Sequence, residues 1–207
     1  MAVRYAELLT GPGVQRGLIG PAEAGRIWDR HLLNCAVIAE LVPAAATIAD
    51  LGSGAGLPGV VLALMLPGST VTLLEPMARR ASFLAECVGQ FGLANASVLR
   101  ARAEDMVGQL GADVVTARAV APLDRLAVLA AGLAAPGGLV LAIKGAGAGE
   151  ELRAAGPVLR RLRARNASVV RAGSGKVGAA ATVVRFTIAG TRAEAASQLG
   201  ADSKRTG

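Results

Sequence analysis

The chain reads as an α/β domain built on one mostly parallel sheet, and three observations predict it. Short apolar runs recur at residues 46–51, 69–75, 96–101, 112–120 and 138–145. Segments with helical spacing of their apolar residues separate most of them, which is the pattern of βαβ units. Glycine and proline mark the junctions, most densely in ADLGSGAGLPGVVLAL at 49–64. With 207 residues and no repeat, one domain of ordinary size is expected.

Each element has its own signal. Residues 21–42 are expected as one helix: Pro21 suits its first turn, Trp28, Leu32, Cys35, Ala39 and Val42 repeat at spacings of four and three, and Pro43 ends it. The glycine-rich stretch 8–20 gives no clear assignment. Residues 1–45 then form a helical cap on a main domain spanning 46–190. ATIADL is the first strand, followed by the glycine loop and a helix opened by Pro58 and stopped by Pro67-Gly68. STVTLLE is the second strand. A helix over 78–91 carries Phe83, Leu84, Cys87, Val88 and Phe91 on one face. ASVLRA and ADVVTARAV are the third and fourth strands, with only a short helical link between them.

A helix over 123–135 leads to the fifth strand, GLVLAIKG. The uncharged run 126–143 is long enough to suggest a membrane span, but Pro136-Gly137-Gly138 divides it into helix, turn and buried strand. The next helical stretch is interrupted at Gly156-Pro157. ASVVRAGS and ATVVRFTIAG form a closing hairpin, which makes seven strands with the last one reversed. Residues 191–207 are a polar tail.

Composition limits the environment and the partner. Lys and Arg number 22 against 15 acids, a net charge of +7 that suits a polyanion. Cys35 and Cys87 sit far apart in apolar helical patterns, without the spacing of a metal site or redox pair, so both read as core and no metal is expected. The N-terminus has no charged region followed by an apolar stretch, so a reduced, cytoplasmic protein follows, with no membrane association.

Ligands of open parallel sheets bind beyond the carboxyl ends of the strands. The first strand delivers Asp50, Gly52, Ser53, Gly54, Gly56 and Leu57 to that rim; the second delivers Glu75 and the third Arg102, Ala103 and Glu104. Arg118 ends the fourth strand and Lys144 the fifth. In one register, Gly54-x-Gly56-x-x-Gly59 fits the dinucleotide fingerprint, and Glu75 stands about 20 residues on, placed to accept both ribose hydroxyls. That geometry serves NAD and S-adenosylmethionine (SAM) alike. Two details favour SAM. Asp50 places a carboxylate before the first glycine, where a cationic amino-acid end needs one. Pro58 removes an N–H from the helix end on which a pyrophosphate would dock.

Further motifs carry a more specific resemblance. RIWDRHLLN at 26–34, IADLGSGAGLPGVVLAL at 48–64, LLEPMARRASFL at 73–84, RAEDM at 102–106, VVTARAVAPLDRL at 114–126 and LAIKG at 141–145 together resemble the bacterial small-subunit ribosomal RNA methyltransferase G family. GLPG, ARAVAPL and KG in this order are its distinctive letters. The resemblance implies a Rossmann-like class I methyltransferase fold. It also implies methylation by SAM of the N7 atom of one guanine in a decoding-site loop of 16S rRNA, in the 30S subunit or its precursor. By position it implies SAM contacts at Gly52 through Leu57, at Glu75, at Ala103 with Glu104, and at Arg118. Many members have Asp-Ser where this chain has Asn34-Cys35, and an aromatic N-terminal segment is largely missing.

Guanine N7 carries a lone pair and no proton, so transfer to it needs no general base, only an in-line approach. Arg118 and Lys144 are accordingly expected to line the mouth as positioning groups, one for SAM and the other for RNA. Arg102 and Lys144 are the expected RNA contacts at the rim. Arg160 and Arg163, in a cluster with Arg161 and Arg165, are expected as a backbone patch. His31 is expected as a structural histidine at the edge of the cap. Two other functions compete: an NAD(P)-dependent oxidoreductase, favoured by the Gly54 register, and a non-catalytic rRNA-binding assembly factor, favoured by charge. A monomer is expected.

Overall fold

Alternation of side chains along the strands builds a three-layer structure. The computed structural model describes residues 1–175 and 180–189. Its strands are β1 (Thr47–Leu51), β2 (Thr70–Leu74), β3 (Ala96–Leu99), β4 (Ala112–Arg118), β5 (Ala134–Lys144), β6 (Ala164–Ala172) and β7 (Ala181–Ile188). They form one sheet in the order β3-β2-β1-β4-β5-β7-β6. β1 to β5 are parallel, and β7 runs antiparallel to both β5 and β6. This is the mostly parallel seven-stranded sheet with a reversed terminal strand that the sequence predicts.

Neighbouring residues serve opposite faces, as the strand period of two requires. Ile48, Val114, Leu141 and Val183 enter one core with α4 (Gly59–Met65), α5 (Ala78–Phe91) and the N-terminal segments. Ala49, Val115, Val140 and Val184 enter the other with α6 (Leu123–Leu133), α7 (Ala148–Ala154) and α8 (Gly156–Arg161). Both faces are covered, which explains why the parallel strands read as continuous apolar runs. α5 buries Phe83, Leu84, Cys87 and Phe91, with Val88 partly buried beside them, and ends on Gly92 in the left-handed region.

The N-terminal region departs from expectation. Stretch 8–20, which the sequence leaves unassigned, starts within a helix: α1 (Ala2–Leu8) continues in wider turns through Gly13. The single helix expected over 21–42 is broken. A first turn, α2 (Pro21–Ala24), stops where Gly25 is followed by Arg26 at φ −118°, ψ 18°. The chain then resumes at Ile27 and winds through α3 (Leu33–Ala36) to Leu41. The break rotates the buried stripe to Ile27, His31, Leu32, Cys35 and Ile38, so Trp28 is 40% exposed and not core.

Strand ends also shift. β5 begins at Ala134, ahead of the Pro136-Gly137-Gly138 turn, with an irregular register against β4. No helix among the described residues is long and apolar enough to cross a membrane. The expected tail 191–207 lies outside the described residues.

Candidate active site

Strand order reverses between β1 and β4, so the loops leaving them diverge and open a cleft beyond their carboxyl ends. The cleft encloses about 370 Å³. Leu51 and Gly52 leave β1 into it, Glu75 follows β2, Ala103 and Glu104 follow β3, and Val120 follows β4. Ala103 is buried and Glu104 exposed.

The glycine loop is shaped by close approaches. Gly52 lies at φ 67°, and a Cβ there would come within 2.9 Å of Val120 Cγ2. A Cβ on Gly59 would collide with Leu73 Cδ2 and with Asp50 Oδ2. Only glycine lets α4 start this close to β1 and β2. Ser53 is buried, and its hydroxyl donates back to the Asp50 carbonyl (2.9 Å).

Two buried carboxylates organise the loop from inside. Asp50 is fully buried; Thr116 Oγ1 donates to its Oδ1 (2.8 Å) and the Gly59 N–H to its Oδ2 (3.0 Å). Burial pushes its pKa up to about 6, against the lowering effect of those bonds. Glu75 is 2% exposed and accepts the Gly54 N–H at Oε2 and the Met77 N–H at Oε1, both at 2.9 Å. It therefore ties the loop to the exit of β2 while facing the cleft.

The start of α4 has little left to offer an anion. The Gly56 and Leu57 N–H groups donate to the Ser53 carbonyl, Pro58 has none, Gly59 donates to Asp50 and Val60 to the Gly56 carbonyl. A pyrophosphate needs outward-pointing amides at this point. A phosphate-free ligand does not. An apolar wall of Leu51, Leu74, Ala103 and Leu129 can take a purine, and the Glu75 carboxylate can take ribose hydroxyls. These residues fit SAM.

Comparison with known proteins agrees. A family model described as "rRNA small subunit methyltransferase G" matches residues 1–177. The chain is 56% identical over 188 residues to a ribosomal RNA small subunit methyltransferase G from Thermobifida fusca, covering 91% of this chain and 79% of that one. A protein of the same name from Streptomyces coelicolor is 54% identical over 188 residues, covering 90% and 79%. The chain belongs to the rRNA small subunit methyltransferase G family.

Solved structures show the same class I methyltransferase fold at low identity. A SAM-dependent O-methyltransferase from Thermotoga maritima superposes with TM-score 0.58 and 14% identity, over 75% of this chain and 64% of that one. A SAM-dependent methyltransferase from Aquifex aeolicus gives 0.54 and 19%, over 88% and 96%.

For a methyltransferase G family member, the charged strand ends are less open than the sequence suggests. Arg118 turns toward the cap: its Nη1 donates to Cys35 Sγ (3.3 Å) and its Nη2 meets Nδ1 of His31. Lys144 has 8% of its side chain exposed; its Nζ donates to the Ala121 carbonyl (2.9 Å) and to Glu151 Oε2 (2.7 Å). The same Glu151 oxygen accepts the Leu123 N–H at the start of α6 (3.2 Å). Arg118 and Lys144 thus anchor the two ends of the segment that places Val120 over Gly52. Within it Ala119 is held at φ 55°, a conformation costing roughly 1 kcal/mol.

Arg102 is exposed on the cleft wall, beside Arg80 and Arg125. Arg160 and Arg163 are exposed at the other end of the sheet. There α8 feeds β6, whose Ala164 pairs with Ile188, while Lys144 pairs with Thr182. The structure therefore groups Arg102 with the cleft and separates Arg160 and Arg163 from it.

Sequence reasoning misses Tyr5. Its fully buried hydroxyl donates to the Ala55 carbonyl (2.7 Å) and its ring meets Phe91 edge-on, so α1 clamps the glycine loop. The available signal was that this is the one tyrosine of the chain, four residues before an apolar Leu9. The two cysteines are buried, and burial raises Cys35 to about 11 and Cys87 to about 12, so both are neutral thiols.

Proposed function

We propose that this protein transfers a methyl group from SAM to N7 of one guanine in the decoding-site loop of 16S rRNA, without a general base. Family membership makes it a SAM-dependent methyltransferase whose relatives are named for small-subunit rRNA. The observation that carries the cofactor half is the start of α4, where the Gly56, Leu57, Gly59 and Val60 amides are consumed internally, Pro58 has none, and Glu75 faces an apolar cleft.

SAM supplies an electrophilic methyl carbon on a sulfonium. The chain's own part is to bind and orient. Glu75 accepts the ribose hydroxyls, Ala103 and Glu104 bound the adenine, and Gly52 brings the loop backbone to the ligand, while Gly56 is buried against Val60 and Tyr5 and shapes the loop from behind. Asp50 holds this loop through Gly59. Arg118 serves the amino-acid end.

The absence of a base follows from the acceptor. Guanine N7 presents an in-plane lone pair and has no proton to lose, so alignment supplies most of what the reaction needs. Asp50 suits this: it is fully buried and both its oxygens accept hydrogen bonds from the protein, while Glu75 accepts two backbone N–H groups besides the ribose. Arg102, with Arg80 beside it, is an RNA-backbone contact at the cleft mouth, where phosphates determine register. Lys144 acts on the RNA indirectly, by bracing the segment through Ala121.

The test is transfer of tritiated methyl from SAM to 30S subunits taken from cells lacking the enzyme, followed by mass spectrometry of the nucleosides. Label recovered in 7-methylguanosine is the expected result. Binding without transfer would favour the assembly-factor reading, and label in any other nucleoside would overturn the N7 assignment.

A further inference from the structure

Arg118 joins the end of β4 to the cap through Cys35 and His31. His31 lies between two charges. Its Nε2 is 2.8 Å from Glu23 Oε2, and its Nδ1 meets Arg118 Nη2. Arg118 is a permanent donor with no acceptor lone pair. Nδ1 must therefore be the unprotonated, accepting nitrogen, and Nε2 must carry the proton it gives to Glu23. One tautomer of neutral imidazole satisfies both contacts; imidazolium cannot, because it turns a donor and a positive charge against the guanidinium.

We propose that His31 is a positioning residue for Arg118: its unprotonated Nδ1 holds the guanidinium at the end of β4, and a proton taken up there releases it. The two contacts from Cys35 and His31 engage two of the five N–H groups of a guanidinium, so three lie outside them. The inference rests on the reading that Arg118 serves the amino-acid end of SAM. Affinity for SAM then depends on pH through a residue that never touches it.

The charged and titratable groups around His31 come from every packed element. Glu23 approaches from α2, and is itself paired with Arg30 at 3.2 Å. Arg30 lies beside His31 in the same helical run. Arg118 comes from β4, with the neutral thiol of Cys35 and the buried Asp50 and Tyr5 beyond it. Burial lowers the His31 pKa first, the Glu23 hydrogen bond opposes that, and Arg118 lowers it further. The sign follows: His31 is neutral and holds Arg118 above its depressed pKa, and loses it as pH falls through that value.

His31 is the one histidine of the chain, so its ring signals can be assigned in the intact protein without editing the sequence. The experiment titrates those signals by NMR with and without saturating SAM, and measures the dissociation constant of SAM by calorimetry from pH 5.5 to 8. Binding that prefers neutral His31 must lower its pKa further, by the amount that the pH dependence of affinity dictates. We expect wild-type affinity to fall about tenfold across the acid limb, as for loss of one charge-assisted contact. His31→Asn should keep an acceptor for Arg118 and flatten the profile, whereas His31→Ala should bind weakly at every pH, with no further loss on adding Arg118→Ala. A His31 pKa unmoved by SAM, or additive losses in the double variant, would overturn the coupling. Arg118→Ala binding SAM like wild type would remove the underlying reading as well, and the two failures are thereby told apart.

Discussion

At the carboxyl ends of the strands, Asp50, Glu75 and Lys144 are buried and each is held by two partners. At the other end, where α8 hands the chain to β6, Arg160, Arg163 and Arg165 are exposed to solvent. The far-end charges are all positive and those at the cleft are mixed, but the larger difference is in what the charges do. Buried charges at the cleft hold backbone in place: Asp50 starts α4, Glu75 ties the glycine loop, and Lys144 braces the segment ending at α6. Exposed arginines at the far end are open to a polyanion, and the attraction they add is screened by salt. The overall positive charge suits a polyanion, and the buried charges shape the cleft.

Breaking the cleft side should cost most. Gly59→Ala pushes a methyl into Leu73 and Asp50, and should destabilise the fold by about 3 kcal/mol in a urea titration, with loss of SAM binding. A stable Gly59→Ala protein would mean that α4 can move away from β1. Asp50 gives a pH test. Its folded pKa of about 6 exceeds the ordinary 3.8, so the protonated form is favoured by folding. Stability should be fully present below about 4 and decline by roughly 2–3 kcal/mol as pH rises through 6. Asp50→Asn should remove that decline from the pH series; an unchanged slope would assign it to another group.

Glu75→Ala should weaken SAM by about 100-fold, or about 2.7 kcal/mol, in calorimetry, since the proposed ribose contacts and the tie to Gly54 would go together. A loss under threefold would place the ribose elsewhere. The smallest effect belongs to the far end. Arg160→Glu with Arg163→Glu should leave methyl transfer to 30S subunits within about twofold and shift the salt slope of binding by less than about one contact. A larger fall in that slope would put RNA on both ends of the sheet.

Much of this was legible residue by residue. Apolar runs with glycine and proline junctions predict the seven strands, because parallel strands covered on both faces leave a continuous apolar signature. Phe83, Leu84, Cys87 and Phe91 mark the face of α5 for the same reason, with a helical period. The cap was misread at one point: Gly25-Arg26 breaks the helix, and the stripe that included Trp28 is replaced by one through Ile27 and His31. Periodicity continues across a break without recording the rotation.

By itself the sequence determined the fold class, the glycine loop, the acids before and after it, and the family. These depend on local letters: the residue types that permit tight turns, pack two faces, or keep a proline at a helix start. Only the tertiary structure decided what the charges at the strand ends touch. Arg118 and Lys144 look alike in the sequence, each a cation closing a strand. One turns to His31 and Cys35 and the other to Glu151, across 87, 83 and 7 residues of chain. Near or distant in sequence, these partners are chosen by packing of the cap and of α7 against the sheet, and a linear pattern carries no trace of which acceptor a long flexible cation will reach.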